Sequence, residues 1–260
     1  MIVKLGSGFG HVLSGFRLIN RRGIRRYVAI PLLINILIFG GVLVFGWSEF
    51  ERLLNGITNY LPSWLDWLTW LLYPVFILTA LLIVFYLFTP VANLIGAPFN
   101  ALLAEKLERE LSGKGPEGGG VGGVRAIAAS AGVAVGNELR KLLYMLVRTL
   151  PLLLLFLIPV VNVAAPFIWA LFGAWMMAIE YADYPMGNYD MKFRDERALL
   201  RRNRFLSLGF GGGILLMTMI PVLNFFAMPV GVAGATGMWV KHLRSQAFGD
   251  ESEDVSAPNV

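Results

Sequence analysis

The sequence predicts an all-α integral membrane protein with two long transmembrane helices, two hemi-penetrating (re-entrant) helical hairpins, and interfacial amphipathic helices. Three observations predict it. Hydrophobic residues make up 57% of the 260-residue chain and charged residues only 15%, against roughly 25% charged in ordinary globular proteins. The charges crowd into a few stretches and leave four long uncharged segments, 27–47, 67–104, 149–179 and 205–240. Two of these have lengths that fit neither one bilayer crossing nor two.

The first 26 residues contain Lys4, Arg17, Arg21, Arg22, Arg25 and Arg26. These interrupt any apolar core, so no cleavable signal peptide is expected. Leu5, Phe9, Val12, Phe16 and Ile19 recur every three or four residues, the spacing of one helical face. This predicts a helix lying in the membrane interface, or equally a frayed amphipathic leader.

Segment 27–47 is 21 residues long. At ~1.5 Å per residue it crosses a ~30 Å hydrocarbon core once. Segment 67–104 exceeds one crossing and is expected to emerge near Pro90 and Pro98, then continue as an amphipathic helix through Glu105, Arg109 and Glu110.

Segments 149–179 and 205–240 contain 31 and 36 residues. One crossing needs about 20 residues and two crossings with a turn need over 40. Pro159 and Pro166 lie near the middle of the first, Pro221 and Pro229 near the middle of the second. Proline removes a backbone donor and clashes with the preceding turn, so a helix is expected to break there. A hairpin that enters part-way and returns satisfies both lengths. Non-helical backbone at that depth must be buried in protein or line a wet cavity.

A weak repeat marks these breaks. Pro90-Val91-Ala92-Asn93 precedes Pro98, Pro159-Val160-Val161-Asn162 precedes Pro166, and Pro221-Val222-Leu223-Asn224 precedes Pro229. Internal repeats are common in transporters. Each Asn could equally cap a helix within the protein.

This topology puts 21 of the 22 Lys and Arg on one side, leaving only Arg52 in the loop 48–66. The basic side should be cytoplasmic, with both termini on it. The net charge of +5 is therefore read as orientation and not as nucleic-acid binding. Residues 1–246 are expected to form a single helical membrane domain with a flexible Gly-rich loop at 112–124. Residues 247–260 are expected to form an acidic disordered tail.

The sharpest local signal is Asn20-Arg21-Arg22-Gly23-Ile24-Arg25-Arg26, immediately before the first span. A helix starting here aims free N–H groups and its positive dipole end at the boundary. Gly23 would let an anion approach the backbone, and Arg25 or Arg26 supplies a permanently charged planar donor. Four arginines beside a first span are also what positive-inside orientation requires. A second signal is Glu105 with Arg109, four residues apart and able to pair on one helical face.

Signals for an enzyme are poor. His11 and His242 have no ligand-like spacing to carboxylates, there is no cysteine, and no nucleophile elbow or phosphate loop occurs. No catalytic residue, metal or cofactor is expected. Gly209, Gly211, Gly212 and Gly213 are read as permitting close helix packing.

Together these residues carry a resemblance. Gly96-Ala97-Pro98-Phe99-Asn100 with Leu103-Ala104-Glu105-Lys106 is close to the signature of the CysZ sulfate-transporter family. Gly23-Ile24-Arg25-Arg26 with Pro31 and Asn35, Asp183-Tyr184-Pro185-Met186 with Asn188, and Pro221, Asn224 and Pro229 with Ala235-Thr236 support it, so the chain resembles that family from about 15 to 239. The resemblance implies a bacterial inner-membrane homo-oligomer that moves sulfate inward for cysteine biosynthesis, with sulfite as a related anion. The family's Gly-Leu-Arg sulfate element maps onto Gly23, Ile24, Arg25 and Arg26, with Ile in place of Leu. Tyr189 stands where the family has His.

The leading expectation is sulfate capture at Gly23, Ile24, Arg25 and Arg26, followed by passage near Asn93, Asn100, Glu105 and Arg109. The competing expectation is a structural membrane protein whose half-inserted hairpins shape lipid or recruit partners. An enzyme acting on lipid head groups would need an acid–base or metal cluster that the sequence does not offer.

Overall fold

The computed structural model describes residues 1–59, 62, 67–83, 86, 89–116 and 123–249. The side chains of 58, 68, 69, 83, 89–95 and 123–135 lie outside that description. Every described element is helical: α1 Ile2–Ile19, α2 Arg25–Thr58, α3 Trp67–Ile83, α4 Thr89–Ser112, α5 Gly123–Leu155, α6 Ala165–Gly187, α7 Phe193–Arg202, α8 Arg204–Thr218, α9 Pro221–Met238 and α10 Arg244–Phe248. The protein is an all-α membrane protein. Among the described residues three helices are long and apolar enough to cross a bilayer, Arg25–Ile57, Ala165–Gly187 and Pro221–Phe248.

The chain forms two compact units, Arg26–Phe99 and the remainder, Met1–Arg25 with Asn100–Val260. In the smaller unit, α2 runs 34 residues, about 50 Å. It continues well beyond the span expected at 27–47, because Ser48, Glu49, Glu51 and Arg52 support further helical turns. Trp47 donates to Glu51 at 2.7 Å, and Arg52 pairs with Glu49 at 2.8 Å. The α2 and α3 helices meet through aromatics: Phe50 stacks on Phe76 at 3.9 Å and meets Tyr73 edge-on at 5.3 Å. Elsewhere α2 exposes Leu33, Ile36, Leu37, Val44 and Phe45. Such a surface is stable only against lipid or protein.

In the larger unit, α1 packs on α8 and α9, and α6 packs on the same two helices. The contacts are backbone-close. A Cβ at Gly8 would strike the carbonyl oxygen of Leu206, and one at Gly209 would strike that of Leu5. Where the surroundings are lipid, such close approach stabilises helix pairs through dispersion and not through transfer from water. The buried face of α1 is Gly8, His11, Val12, Gly15 and Leu18, while Phe9 is 42% exposed. Of the expected apolar face Val12 is buried and Leu5, Phe16 and Ile19 are half-buried, while the closest contacts fall on Gly8 and Gly15 beside it. The predicted close packing of the 209–213 glycines is observed.

Two helix–turn–helix hairpins occupy the two long segments. The first turns through 156–164 between α5 and α6, with a short 3₁₀ turn at Val161–Val163. Pro166 sits in the first turn of α6, where a missing N–H costs nothing. Contacts across the pair step along it in antiparallel order. Asn137 reaches the Met191 carbonyl, Lys141 reaches Asp183, Tyr144 receives Trp175 at 3.1 Å, and Phe156 meets Trp169. The second hairpin turns at Met219 and Ile220, and Pro221 opens α9.

The prolines do not all break helices as expected. Pro98 and Pro229 lie inside α4 and α9, which continue through them. The first and third copies of the repeat therefore match in structure, with one proline at a helix start and the next in its interior. The second copy differs, spanning a turn. Asn162 and Asn224 are exposed at these turns. The α7 helix carries Asp195 and Glu196 in its first turn and Arg201 and Arg202 in its last, the arrangement that complements the helix dipole.

Candidate functional site

The turn between α1 and α2 is held by two backbone hydrogen bonds, Arg21 N–H to Leu18 and Ile24 N–H to Arg21, each 3.2 Å. Gly23 adopts φ +91°, a region that side chains with a Cβ rarely enter. Ile24 is fully buried and anchors the turn. Arg25 donates from Nε to the Asn20 carbonyl at 2.9 Å. Arg26 lies 5.1 Å from the Tyr27 ring centroid and contacts its hydroxyl at 3.4 Å. Both arginines remain exposed.

This geometry revises one expectation. The amide of Ile24 is spent on Arg21, so it is not a spare donor. The backbone donors facing outward are those of the first turn of α2, from Arg25 onward, which lack intrahelical acceptors. A carboxylate also attends the turn: a Cβ at Gly23 would stand 3.9 Å from Oε1 of Glu110.

Of the expected pathway residues, Asn93 lies on α4 with its side chain outside the described set. Asn100 is buried. One residue on, the Ala101 carbonyl accepts from Asn188 at 3.0 Å. Glu105 and Arg109 form the predicted pair at 3.0 Å. The buried face of α4, however, is Asn100, Leu103, Ala104, Leu107 and Glu108, and Glu105 is beside it.

Glu108 is the buried acid that sequence reasoning missed. Its Oε1 accepts from the Tyr189 hydroxyl at 2.6 Å and from Trp239 Nε1 at 2.9 Å, with Arg244 at 3.6 Å. Among the described residues its Oε2 has no hydrogen-bond partner. Burial raises the carboxyl pKa, and the Tyr189 and Trp239 donors oppose that rise. Tyr189 is itself raised, first by burial and then by Glu108. The spacing Asn100, Ala104, Glu108 would have put Glu108 on the buried face, but its partners are 81 and 131 residues away.

A second network joins α5, α6 and α7. The largely buried Lys141 contacts Glu180 at 2.8 Å, Glu138 at 2.9 Å and Asp183 at 3.1 Å. Burial alone would lower its pKa, but Asp183 and Glu180 outweigh that and hold it above the ordinary lysine range. Glu196 lies near Asp183, and its carboxyl is pushed up to about 9 by burial and by that neighbouring acid. One proton shared by two carboxyl groups relieves like-charge repulsion.

The two histidines, unconnected in sequence, meet edge-to-face with ring centroids 5.2 Å apart. Burial and then His242 and Lys241 lower His11 to about 4, so it is neutral near pH 7.

The chain was compared with models of known protein families. The model described as Sulfate transporter CysZ/Etoposide-induced protein 2.4 matches residues 11–229, which include the Gly23 turn, Glu108 with Tyr189, the Lys141 network, the first hairpin and the turn of the second. With the all-helical architecture in agreement, the chain belongs to the sulfate transporter CysZ/etoposide-induced protein 2.4 family.

Proposed function

We propose that this protein carries sulfate inward across the bacterial inner membrane to supply cysteine biosynthesis. The supporting observation is the Gly23 turn: it opens the long apolar helix α2 with first-turn amides and places exposed guanidinium groups of Arg25 and Arg26 beside them. A tetrahedral oxyanion suits such a helix N-terminus. Gly23 and Ile24 shape the turn, Arg25 and Arg26 supply charge, and the anion proceeds near Asn93, Asn100, Glu105 and Arg109. Sulfite, of similar shape and charge, competes.

Both termini are cytoplasmic in this reading, and residues 1–246 act as one membrane domain carried by a homo-oligomer. The hairpins enter the bilayer part-way. The length of α8 supports this for the second hairpin: it has 15 residues, about 22 Å against a ~30 Å hydrocarbon core, whereas α6 and the helix Pro221–Phe248 are long enough to cross. Their turns are apolar and exposed, with Leu157 at 76%, Val160 at 85%, Met219 at 72% and Phe225 at 76%. Water would disfavour such turns, whereas lipid or a second protomer would accept them.

Those same exposed turns favour a second reading, a structural protein that deforms lipid or recruits partners. Radiolabelled sulfate flux into proteoliposomes separates the two. Transport predicts saturable uptake, lost in the R25A/R26A variant while membrane insertion is retained. Absence of uptake by the unmodified protein would remove the transport reading. Uptake unchanged in the variant would remove the site.

A further inference from the structure

A basic cavity lies away from the Gly23 turn. Tyr144, Arg148, Trp175, Arg197 and Arg201 line a space of about 330 Å³ on α5, α6 and α7. Two of the arginines stack on one ring: Arg197 lies 4.9 Å and Arg148 5.6 Å from the Tyr144 centroid. The Tyr144 hydroxyl accepts from Trp175 at 3.1 Å, which fixes the ring on which both cations rest. Among the described residues no carboxylate pairs with Arg148, Arg197 or Arg201. The neighbouring Lys141, one turn back on α5, has acids of its own. Three guanidinium groups around one cavity therefore hold uncompensated positive charge.

A second cavity of about 380 Å³ adjoins the first and shares Tyr144, Arg148 and Trp175 with it. Its remaining wall is apolar and includes Leu152, Ile168, Leu171 and Phe172. The change from basic to apolar follows the sequence. Arg148 is the last charge before the uncharged run 149–179, and Arg197 and Arg201 precede the uncharged run 205–240. In a membrane protein that boundary lies at head-group depth, where Tyr and Trp are also favoured.

We propose that this composite cavity binds an anionic glycerophospholipid, with the phosphate against Arg148, Arg197 and Arg201 and one acyl chain along Leu152, Leu171 and Phe172. Guanidinium groups match phosphate oxygens with paired donors. Basic pockets between membrane helices hold acidic head groups by the same chemistry. A free inorganic anion would satisfy the arginines but leave the apolar trough empty. The site is independent of the sulfate reading, and either can fail without the other.

The test is native mass spectrometry of the full chain, titrated with phosphatidylglycerol or phosphatidylcholine of identical acyl chains. At about 1 kcal/mol per basic side chain, three arginines predict at least a tenfold preference for phosphatidylglycerol. R148Q/R197Q/R201Q should abolish the preference. L152Q/L171Q should weaken phosphatidylglycerol binding while keeping its advantage over phosphatidylcholine. Excess sulfate or glycerol phosphate should not displace the lipid. Equal retention of both lipids by the unmodified protein overturns the proposal, and this comparison holds even if a variant fails to fold. Displacement by either small anion also overturns it, in favour of a soluble-anion pocket.

Discussion

The Tyr189 hydroxyl and the Glu108 carboxylate stand 2.6 Å apart, with the phenol donating to an acid that has no exposure to solvent. The bond ties the segment just after α6 to the buried face of α4, and Trp239, immediately after α9, donates to the same carboxylate oxygen. The family resemblance leads to the expectation of a histidine at this position. A tyrosine keeps a donor there and adds ring contacts with Trp239 at 5.6 Å and Phe248 at 5.1 Å.

Tyr189→Phe keeps the rings and removes the donor. Losing one partner of a buried carboxylate is expected to cost about 1–3 kcal/mol. The variant should melt earlier in detergent, and Tyr189→His, which restores a donor, should recover part of the loss. An unchanged melting temperature for Tyr189→Phe would show that the bond carries no net stability.

Glu196 sets a pH dependence. Its folded pKa, about 9, lies above its ordinary value of 4.5, so the folded state holds the proton more tightly. The associated stability is complete below about pH 4.5 and is lost as pH rises through 9. Thermal melting should fall from pH 6.5 to 9, and Glu196→Gln should flatten that slope. A slope of the same size in the variant would assign the effect elsewhere.

His11 acts in the opposite direction over a lower window. Its folded pKa, about 4, lies below 6.5, so the unfolded chain takes up the proton first. Stability from this group is present above pH 6.5 and lost as pH falls towards 4. After allowance for solvent screening the effect is on the order of 1 kcal/mol. His11→Gln should reduce the acid sensitivity of melting between pH 6.5 and 4, and an undiminished sensitivity would contradict this.

At the proposed sulfate turn, Gly23→Ala should weaken sulfate binding, because φ +91° is strained for alanine. Glu110→Gln should strengthen it by up to about fivefold, the effect of removing one exposed like charge. Calorimetry with sulfate measures both. Weaker binding in Glu110→Gln would mean that the carboxylate supports the turn and does not repel the anion.

Much of the fold was legible in hydrocarbon lengths. Segments 149–179 and 205–240 were too long for one crossing and too short for two, and each reverses near a proline, at 156–164 and at 219–220. Proline alone misled at Pro98 and Pro229, since packing around an apolar helix can absorb one missing donor. The face of α1 was read from its large residues, whereas the contact selects Gly8 and Gly15, which let backbones touch.

The Gly23 turn was legible because its residues are consecutive. The Glu105–Arg109 pair was legible because its spacing is local. Glu108 with Tyr189 and Trp239, and Lys141 with Glu180 and Asp183, were not. Their partners are far apart along the chain, and no short-range pattern distinguishes them from solvated charges.

Because α1 is seated against α8 and α9 with backbones in contact, its docking surface does not exist when it leaves the ribosome. Roughly 10–40 s of synthesis at 5–20 residues per second separates Gly8 from Leu206. During that interval the helix needs a temporary host, such as the lipid head-group layer or a chaperone. Assembly therefore joins an earlier-made helix to later-made ones, and a ribosome halted before α8 would leave α1 open to protease.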